Sequence, residues 1–502
     1  MMPIRRSAAV VLALLAAACA PAQPALAPVP AAGSTVVRTP TPKPIAVELD
    51  SIFNDTLFAN AHWGVLVKSM RTGETVYAHN AGRMFVPASN MKIVTAAAAL
   101  EALGPEYRYR TRVAAAGPVS GSVLRGDLVV LGSGDPSISE HMMGDVRTVF
   151  RAWADSLRTH GVTRVTGNVL GNDDVFDDVP YGRGWAWDDT DAPYSAEVGG
   201  LMMNEGFVTV RAEPAGGPTA RVTVRPAAQG WVDVSGTVAV GAADSQATFR
   251  VIRADQGGGL TVSGSIPADT AFVEESIAIR NNTAFFAAAL RHALVEAGIR
   301  VDGGAYDADQ REGAPGTHTL LFTHTSPPMA EILAAFMKPS QNQIGEVLLK
   351  TLGAELRGMG SAGAGIAVVD SLARAWGMPP RLLAQADGSG LSRYNLVAPA
   401  FLVALLERES RSPHAQVFAA SLPIAGRDGT LASRMRGTPA EGNLRAKTGT
   451  LSGVRSLSGY FTTAAGEPMV FSILMNHHTL SSRDVDRVAE AAIMRVIAHG
   501  TR

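Results

Sequence analysis

The sequence changes texture twice, and this change limits the folds that the chain can adopt. Between residues 108 and 278, short stretches of alternating apolar and polar residues are separated by Gly, Pro, Asn and Asp, which indicates β-strands. The flanks at 46–107 and 279–502 contain longer apolar patterns with helical spacing. We therefore predict an α/β body in two parts, 46–107 and 279–502, interrupted by inserted β-rich domains at 108–278.

The apolar spacing also predicts where individual elements lie. Helices are predicted at 47–58, 89–103, 145–159, 282–298, 328–352, 361–377, 397–409 and 483–498. Three strands of the second flank are predicted at 443–449, 455–462 and 468–475.

The N-terminus has the features of an export signal. Arg5 and Arg6 precede a short apolar run, and Cys19 follows three alanines in a stretch that resembles a bacterial lipobox. We expect residues 1–19 to be a lipoprotein-type signal with a lipidated Cys19, and residues 20–45, rich in Pro, Ala and Thr, to be a tether. The alternative is an ordinary signal peptide with a chance cysteine. Either signal predicts export to the periplasm or cell envelope.

Composition excludes several classes of protein. The 44 Lys and Arg residues balance the 45 Asp and Glu residues, so the net charge of −1 gives no support for nucleic-acid binding. Cys19 is the only cysteine, which excludes an intramolecular disulfide. After the signal, no apolar run reaches the roughly 18 residues of a spanning helix. Contact with a membrane is therefore expected only through the lipid.

Ser89 and Lys92 form an S-x-x-K motif at the start of a predicted helix. A spacing of three places both side chains on one helical face, one turn apart. A serine hydroxyl needs a base to become a nucleophile, and a lysine amine can be that base if burial and nearby positive charge lower its pKa from about 10.4. Arginine cannot deprotonate, and only six of the 44 basic residues are lysines. The alternative is a serine that only caps the helix.

Lys447, Thr448 and Gly449 form a K-T-G motif in a predicted strand. The ammonium would attract a substrate carboxylate, and the Thr448 hydroxyl would hydrogen-bond to it. Gly449 has no Cβ, so the strand can lie close to the nucleophile and the ligand. The backbone N–H groups of Thr450 and Ser89 would form an oxyanion hole. The alternative is a turn between two strands.

Ser340, Gln341 and Asn342 form the second motif in chain order, directly after Lys338-Pro339, where a helix is expected to break. Ser340 would relay a proton to the leaving group, and Asn342 would hydrogen-bond to a substrate amide. The alternative is a helix cap with polar neighbours. All three motifs occur in a consistent order in an exported chain, which favours one catalytic site.

These motifs resemble those of the low-molecular-mass class C penicillin-binding proteins, which are D-alanyl-D-alanine carboxypeptidases and endopeptidases. The resemblance covers nearly all of 46–500 and includes the segments ADGSGLSRYN at 386–395, LPIAGRDGTL at 422–431 and KTGTLSGVRSLSGY at 447–460. It implies a β-lactamase/transpeptidase-like α/β domain, with helices on both faces of an antiparallel sheet, that is interrupted by a β-rich two-domain insertion.

The resemblance also implies roles for single residues. A peptide ending in D-Ala-D-Ala would acylate Ser89, with Lys92 as the base, and hydrolysis would follow. Ser340 and Asn342 would supply the second catalytic element, and Lys447 with its neighbouring threonine would clamp the carboxylate. The second motif has Gln341 where Asp is common. That side chain is usually structural, so we expect activity to survive.

An acidic residue of the insertion is implied to hold the free amino end of a diaminopimelate side chain. The segment at 184–194 is similar to that region, and we assign the role to Asp189. Asp188 and Asp191 are close in sequence and make the register ambiguous. The alternative is that Asp189 is a solvated loop acid.

We therefore predict an exported serine D,D-peptidase of peptidoglycan that binds stem peptides and β-lactams. The sequence has no H-E-x-x-H motif, paired cysteines or EF-hand loop, so we expect neither a metal nor an organic cofactor. One alternative is a β-lactamase of the same fold class, which needs fast deacylation. The other is a lipoprotein that binds peptidoglycan without turnover. A long-lived penicillin adduct on Ser89 would favour the peptidase.

Overall fold

The two sequence textures correspond to different sheets in the computed structural model of the protein. The structure describes residues 44–227, 231–255, 257–311 and 317–499. Within these residues, strands from the two ends of the chain form one sheet, and strands from the middle form most of the others. No helix in these ranges has both the length and the apolar character that crossing a bilayer requires.

Three predictions fall on residues that the structure does not describe. They are the signal at 1–19, the lipidation of Cys19 and nearly all of the tether at 20–45. These remain predictions.

Eleven helices lie in the described residues, and six of them begin and end within two residues of a predicted helix. In chain order they are α1 (Pro44–Phe53), α2 (Met91–Leu103), α3 (Glu140–Met143), α4 (Arg147–Thr159), α5 (Asn282–Glu296), α6 (Met329–Met337), α7 (Asn342–Arg357), α8 (Ala362–Ala375), α9 (Pro399–Glu409), α10 (Ala415–Ser421) and α11 (Ser482–Ala498). Side-chain caps explain several of the starts. Asn281, Ser361 and Ser481 each accept a hydrogen bond from a backbone N–H in the first turn of α5, α8 and α11.

The described residues also contain 24 strands, many of them short. They are β1 (His62–Ser69), β2 (Thr75–His79), β3 (Arg110–Ala116), β4 (Val119–Ser120), β5 (Val123–Leu124), β6 (Asp127–Leu131), β7 (Arg164–Val165), β8 (Val169–Asn172), β9 (Phe207–Pro214), β10 (Ala220–Arg225), β11 (Val232–Gly236), β12 (Ala239–Gly241), β13 (Arg250–Arg253), β14 (Gly258–Ser263), β15 (Ser265–Pro267), β16 (Val273–Ala278), β17 (Arg300–Val301), β18 (Ala305–Asp307), β19 (Thr319–Thr325), β20 (Leu383–Ala384), β21 (Leu396–Val397), β22 (Arg445–Leu451), β23 (Val454–Thr462) and β24 (Pro468–Asn476).

The central sheet has five antiparallel strands in the order β2-β1-β24-β23-β22. Side chains of β24 alternate between its two faces. Val470 and Leu474 join a core with residues of α2 and α9, whereas Phe471 and Ile473 join a core with residues of α1 and α11. Helices therefore cover both faces of an antiparallel sheet, which confirms the predicted fold class.

The middle of the chain builds a core of its own. A mixed five-stranded sheet has the order β18-β8-β6-β3-β19, and two three-stranded sheets have the orders β10-β9-β16 and β11-β14-β13. Trp153 of α4 and Phe286 of α5 lie in this core, with ring centroids 5.9 Å apart. Its buried residues are distinct from those in the two cores beside the central sheet.

Strand pairing in this middle region continues past residue 278. β17 pairs with β7, β18 pairs with β8, and β19 pairs with β3. The division into 46–107, 108–278 and 279–502 remains a prediction. The pairing of β17, β18 and β19 favours an end of the middle region after Thr325 rather than at residue 278.

One predicted helix is two helices. The apolar spacing at 328–352 predicted a single helix, but α6 ends at Met337 and α7 begins at Asn342, which confirms the break expected at Lys338-Pro339. Between them Ser340 has a φ of 71°, in the left-handed region that a continuing helix cannot use. The side chain of Gln341 caps α7 by accepting from the backbone N–H of Gln343. The break places Ser340 and Gln341 in a loop and Asn342 at the first position of α7.

Replacing Phe286 with alanine is expected to lower the free energy of unfolding by about 3–5 kcal/mol. The ring is fully buried and packs edge-on against Phe150, so the change leaves a cavity. Chemical denaturation measures the effect. Val295→Ala on the same helix is the control, because that side chain is 47% exposed, and it should change the value by less than about 0.5 kcal/mol. Equal effects of the two variants would contradict this core assignment.

Candidate active site

Ser89 lies in a short 3₁₀ turn, Ala88–Asn90, that leads directly into α2. Two neighbouring strands fix this turn. Asn476 of β24 hydrogen-bonds to both the N–H and the C=O of Val86, at 2.8 and 3.0 Å. Ser456 of β23 donates to the carbonyl of Pro87 at 2.7 Å. The predicted nucleophile is therefore held rigidly at the N-terminal end of a buried helix.

Lys92 lies one turn after Ser89, and its side chain is fully buried. Its Nζ donates to Ser89 Oγ at 3.0 Å, to Asn342 Oδ1 at 2.6 Å and to the Ser389 carbonyl at 2.7 Å. Burial lowers the pKa of Lys92 to about 7, against the opposing charges of Asp387 and Glu346. At neutral pH a substantial fraction of this amine is therefore unprotonated and able to accept a proton from Ser89.

The loop that carries Ser389 rests on two buried carboxyl groups that the motif analysis missed. Glu346 of α7 accepts from the backbone N–H groups of Gly388 and Ser389. Asp387 accepts from the N–H groups of Gly390 and Ser392 and from Trp185 Nε1. Burial, followed by the charge of Asp387, raises the pKa of Glu346 to about 8. One signal was available, since Glu346 follows Asn342 by four residues and shares its helix face.

Asn342 connects the second motif to both sides of the site. Its Oδ1 accepts from Lys92, and its Nδ2 donates to the Tyr194 carbonyl at 2.7 Å. Ser340, in its left-handed conformation, accepts from Lys447 Nζ at 2.8 Å. The helix break therefore directs Ser340 to one lysine and Asn342 to the other.

The K-T-G motif lies on β22, the edge strand of the central sheet. Lys447 is fully buried, and burial, followed by the charge of Lys92, lowers its pKa well below the usual range. Asn90 Nδ2 donates to the Lys447 carbonyl at 3.0 Å and so ties the nucleophile turn to β22. A Cβ on Gly449 would stand 2.1 Å from Ser456 Oγ and 2.9 Å from Ser89 N. Only glycine permits this close approach.

Thr448 and Thr450 stand at the open side of β22. Thr448 Oγ1 lies 2.7 Å from Thr430 Oγ1, and Arg455 Nη1 donates to Thr450 Oγ1.

The N–H of Ala446 points away from β23, since it bonds to the Pro423 carbonyl. Because backbone N–H groups alternate in direction along an antiparallel strand, the N–H of Thr450 also points to this open edge. This is the direction that an oxyanion hole with Ser89 requires.

Asp189 lies in the loop that covers the opposite side of the cleft. Its carboxylate accepts from the Tyr194 hydroxyl at 2.6 Å, and it lines the same cavity as Ser89. Neighbouring Asp191 instead pairs with Arg253, and Asp188 is exposed and outside the cavity lining. Of these three acids, only Asp189, the residue predicted from the sequence, lines the cleft.

The predicted site residues in the described ranges therefore meet in one region. The cleft has a volume of about 710 Å³, and the residues that line it include Ser89, Asp189, Ser340, Asn342, Thr448, Gly449 and Thr450. Lys92 and Lys447 lie beneath its floor and reach Ser89 and Ser340. Cys19, the predicted lipidation site, is outside the described residues.

One group of carboxylates in the described residues has the spacing of a metal site. Oxygen atoms of Asp173, Asp307 and Asp309 lie within 4.8 Å of one another. Burial raises the pKa of Asp173 to about 6, and the charges of the other two act in the same direction. The group lines a second cavity, whose lining residues are different from those of the Ser89 cleft.

The chain is similar to known proteins over nearly all of its length. The family model for D-Ala-D-Ala carboxypeptidase 3 (S13) matches residues 45–498. A D-alanyl-D-alanine carboxypeptidase of Actinomadura sp. (strain R39) is 36% identical over 492 residues, which cover 95% of this chain and 87% of that protein. The carboxypeptidase DacB of Haemophilus influenzae (strain ATCC 51907 / DSM 11121 / KW20 / Rd) is 26% identical over 420 residues, which cover 83% and 85%.

The fold is also similar to a solved structure. The crystal structure of penicillin binding protein 4 (dacB) from Haemophilus influenzae matches with a TM-score of 0.75 and 25% sequence identity. The match covers 90% of this chain and 97% of that one. The likeness therefore includes the central sheet as well as most of the middle region.

Proposed function

Because this chain belongs to the D-Ala-D-Ala carboxypeptidase 3 (S13) family and is a serine-type carboxypeptidase, we propose that Ser89 is its nucleophile. The substrates are peptidoglycan stem peptides, cleaved at their D-Ala-D-Ala ends or at their cross-links. One observation carries the proposal. Ser89 Oγ lies 3.0 Å from the amine of a buried lysine whose pKa is about 7.

Acylation begins when the neutral Lys92 amine takes the Ser89 proton. The oxygen attacks the carbonyl carbon of the penultimate D-Ala, and the backbone N–H groups of Ser89 and Thr450 stabilise the oxyanion that forms. The peptide C–N bond then breaks, and the proton that Lys92 took from Ser89 passes to the leaving amine, which leaves Lys92 neutral for the next step. Ser340 supports this transfer, since its hydroxyl lies beside Lys447 at the leaving-group side of the cleft.

Hydrolysis of the acyl-enzyme returns the enzyme to its starting state. A water molecule attacks the ester carbonyl, and the Lys92 amine accepts its proton. The ester C–O bond breaks, and Ser89 recovers its hydroxyl proton. Asn342 keeps Lys92 in position through both steps, because its Oδ1 contacts Nζ at 2.6 Å.

Recognition of the substrate uses the two walls of the cleft. Thr448 and Thr450 provide hydroxyl donors that bind the terminal carboxylate, and the buried Lys447 ammonium beneath them attracts it. Asp189, on the opposite wall, binds the free amino end of a diaminopimelate side chain. The contact between Asp189 and the Tyr194 hydroxyl supports this role, because it holds the carboxylate at the edge of the cleft.

β-Lactams are proposed to acylate the same serine. A penicillin presents a strained amide and a carboxylate, which match the nucleophile and the carboxylate donors of this cleft. The name of the similar Haemophilus influenzae protein, penicillin binding protein 4, supports this reading.

The place of action follows from the substrate. Peptidoglycan lies outside the inner membrane, so we propose that the protein acts in the periplasm or cell envelope. Cys19 in its lipobox-like setting supports a lipid anchor there. Mass spectrometry of the mature protein tests the anchor, because a lipid on an N-terminal Cys19 adds to the mass of the chain.

A fluorescent penicillin tests the nucleophile. Wild-type protein should retain the label through denaturing electrophoresis. Labelling of Ser89→Ala should be lower than that of wild type by a factor of about 100 or more, because the attacking oxygen is removed. Ser51→Ala, at an exposed serine of α1, is the control and should label normally. Labelling of Ser89→Ala would contradict the proposal, absence of label in wild type would support a non-catalytic binder, and rapid release of the label would support a β-lactamase.

The rate of penicillin acylation should rise with pH through the pKa of Lys92. The folded pKa is about 7, so the neutral amine is the minor form at pH 6 and the major form at pH 8. The rate constant should therefore rise about tenfold across this interval and then level off. Stopped-flow measurement gives the profile. Lys92→Arg should abolish the rise, since arginine stays charged, and an unchanged profile in that variant would overturn the role of Lys92.

Replacing Asp189 with asparagine should weaken binding of peptides that carry a free side-chain amine. We expect KM for a diaminopimelate-containing peptide to rise about tenfold, because one charge-assisted contact is lost. A matched peptide with an uncharged side chain should change less than about twofold. Asp188→Asn is the control because that acid is exposed and outside the cleft lining. Equal losses for the two peptides would contradict the assignment.

A further inference from the structure

Arg455 lies behind the carboxylate side of the cleft and does not belong to any of the three motifs. It stands on β23 directly opposite Thr450 of β22, so the two side chains project from the same face of the sheet. Its Nη1 donates to Thr450 Oγ1. Thr450 is exposed and lines the cleft, whereas the Arg455 side chain is only 15% exposed. The guanidinium therefore reaches the cleft through the threonine hydroxyl.

The direction of this hydrogen bond determines what the hydroxyl can do. A guanidinium carries only donors, so Thr450 Oγ1 must act as the acceptor. Its single O–H is then left to donate to another group. Without Arg455, the hydroxyl would be free to rotate and to present a lone pair to the cleft. An acceptor directed at a carboxylate would repel it, whereas a donor binds it.

The surroundings of Arg455 keep the guanidinium in place. Its Nη2 lies 3.4 Å from Asp486 Oδ2 on α11, and Asp486 is shared with Arg434 at the same distance. Arg434 in turn pairs with Glu490 at 2.5 Å. Two arginines and two carboxylates therefore form one cluster, but among its described contacts only Arg455 reaches a residue of the cleft lining.

Resting on the proposed function, we infer that Arg455 is a positioning residue for the leaving group. It orients the Thr450 hydroxyl as a donor toward the carboxylate of the departing D-amino acid. Thr448 is placed beside Thr450 and pairs with Thr430, so the same wall offers several hydroxyl groups to one anion. Arg455 thereby favours substrates whose leaving group carries a free carboxylate.

Two peptides that differ only at the C-terminus test this inference. One ends in D-Ala-D-Ala with a free carboxylate, and the other ends in the corresponding carboxamide. Arg455→Gln should lower kcat/KM for the acid about tenfold, the scale of one charge-linked hydrogen bond, and should change the amide value less than about twofold. The acid-to-amide preference of the enzyme therefore falls. Arg455→Lys keeps the charge without the fork geometry and should fall between wild type and Arg455→Gln.

A double-variant cycle separates positioning from structural support. Thr450→Val removes the hydroxyl and should reduce the acid-to-amide preference by a similar factor. Adding Arg455→Gln to Thr450→Val should cause no further loss, because the arginine acts through that hydroxyl. Arg434→Gln is the matched control. It removes the same charge from the same cluster and should leave the preference unchanged, whatever it does to the melting temperature.

The outcomes distinguish this inference from the proposed function. Equal losses on both peptides, or a full effect of Arg455→Gln in the Thr450→Val background, would show that Arg455 only stabilises the packing of α11 on β23. A reduced preference in Arg434→Gln equal to that in Arg455→Gln would assign the effect to net charge and overturn the inference. Failure of wild type to form an adduct at Ser89 would instead overturn the proposed function.

Discussion

The burial of two lysine side chains in one site is the constraint on which the structure depends. Lys92 and Lys447 are both fully buried, and burial of a charge without partners costs several kcal/mol. The site meets this cost with oxygen atoms from separate parts of the chain. Ser89, Asn342 and the Ser389 carbonyl surround Lys92, and Ser340 with the Thr448 carbonyl surrounds Lys447. Helix α2, helix α7, the loop after β20 and the strand β22 must therefore all be in place to supply these contacts.

The supporting layer beneath Lys92 explains several otherwise unremarkable glycines. Glu346 and Asp387 reach backbone N–H groups of the 387–392 loop only because that loop runs very close to its neighbours. A Cβ on Gly388 would stand 2.1 Å from the Gly345 carbonyl, and one on Gly390 would stand 1.9 Å from the Ala88 carbonyl. The same closeness aims the Ser389 carbonyl at Lys92. The close packing of the 387–392 loop therefore also determines the surroundings of the Lys92 amine.

The sequence was most informative where function depends on short spacing. Ser89 and Lys92 share a helix face, and Lys447 to Thr450 follow one strand, so their local pattern already indicated their chemistry. Glu346 lies on the same helix face as Asn342, but that spacing does not show that Glu346 bonds to the 387–392 loop or that Asp387 bonds to Trp185, because these contacts join distant segments. Strands β17 and β18 were missed because they have two and three residues, too few for a periodic signal. The apolar spacing alone predicted one helix over 328–352, because it continues across the left-handed Ser340, whereas Lys338-Pro339 correctly indicated the break.

The loop at 184–196 makes the middle region part of the cleft that Ser89 lines. Its carbonyl at Tyr194 holds the amide of Asn342, and its carbonyl at Pro193 accepts from Gln343 at 2.9 Å. The β-rich middle region therefore supports the position of Asn342 and Gln343 in α7. A chain made by joining the two flanks would keep all three motifs in its sequence, but Asn342, which contacts Lys92, would lose its bond to the Tyr194 carbonyl. The flanks and the middle region are therefore not independent modules, because this hydrogen bond joins them.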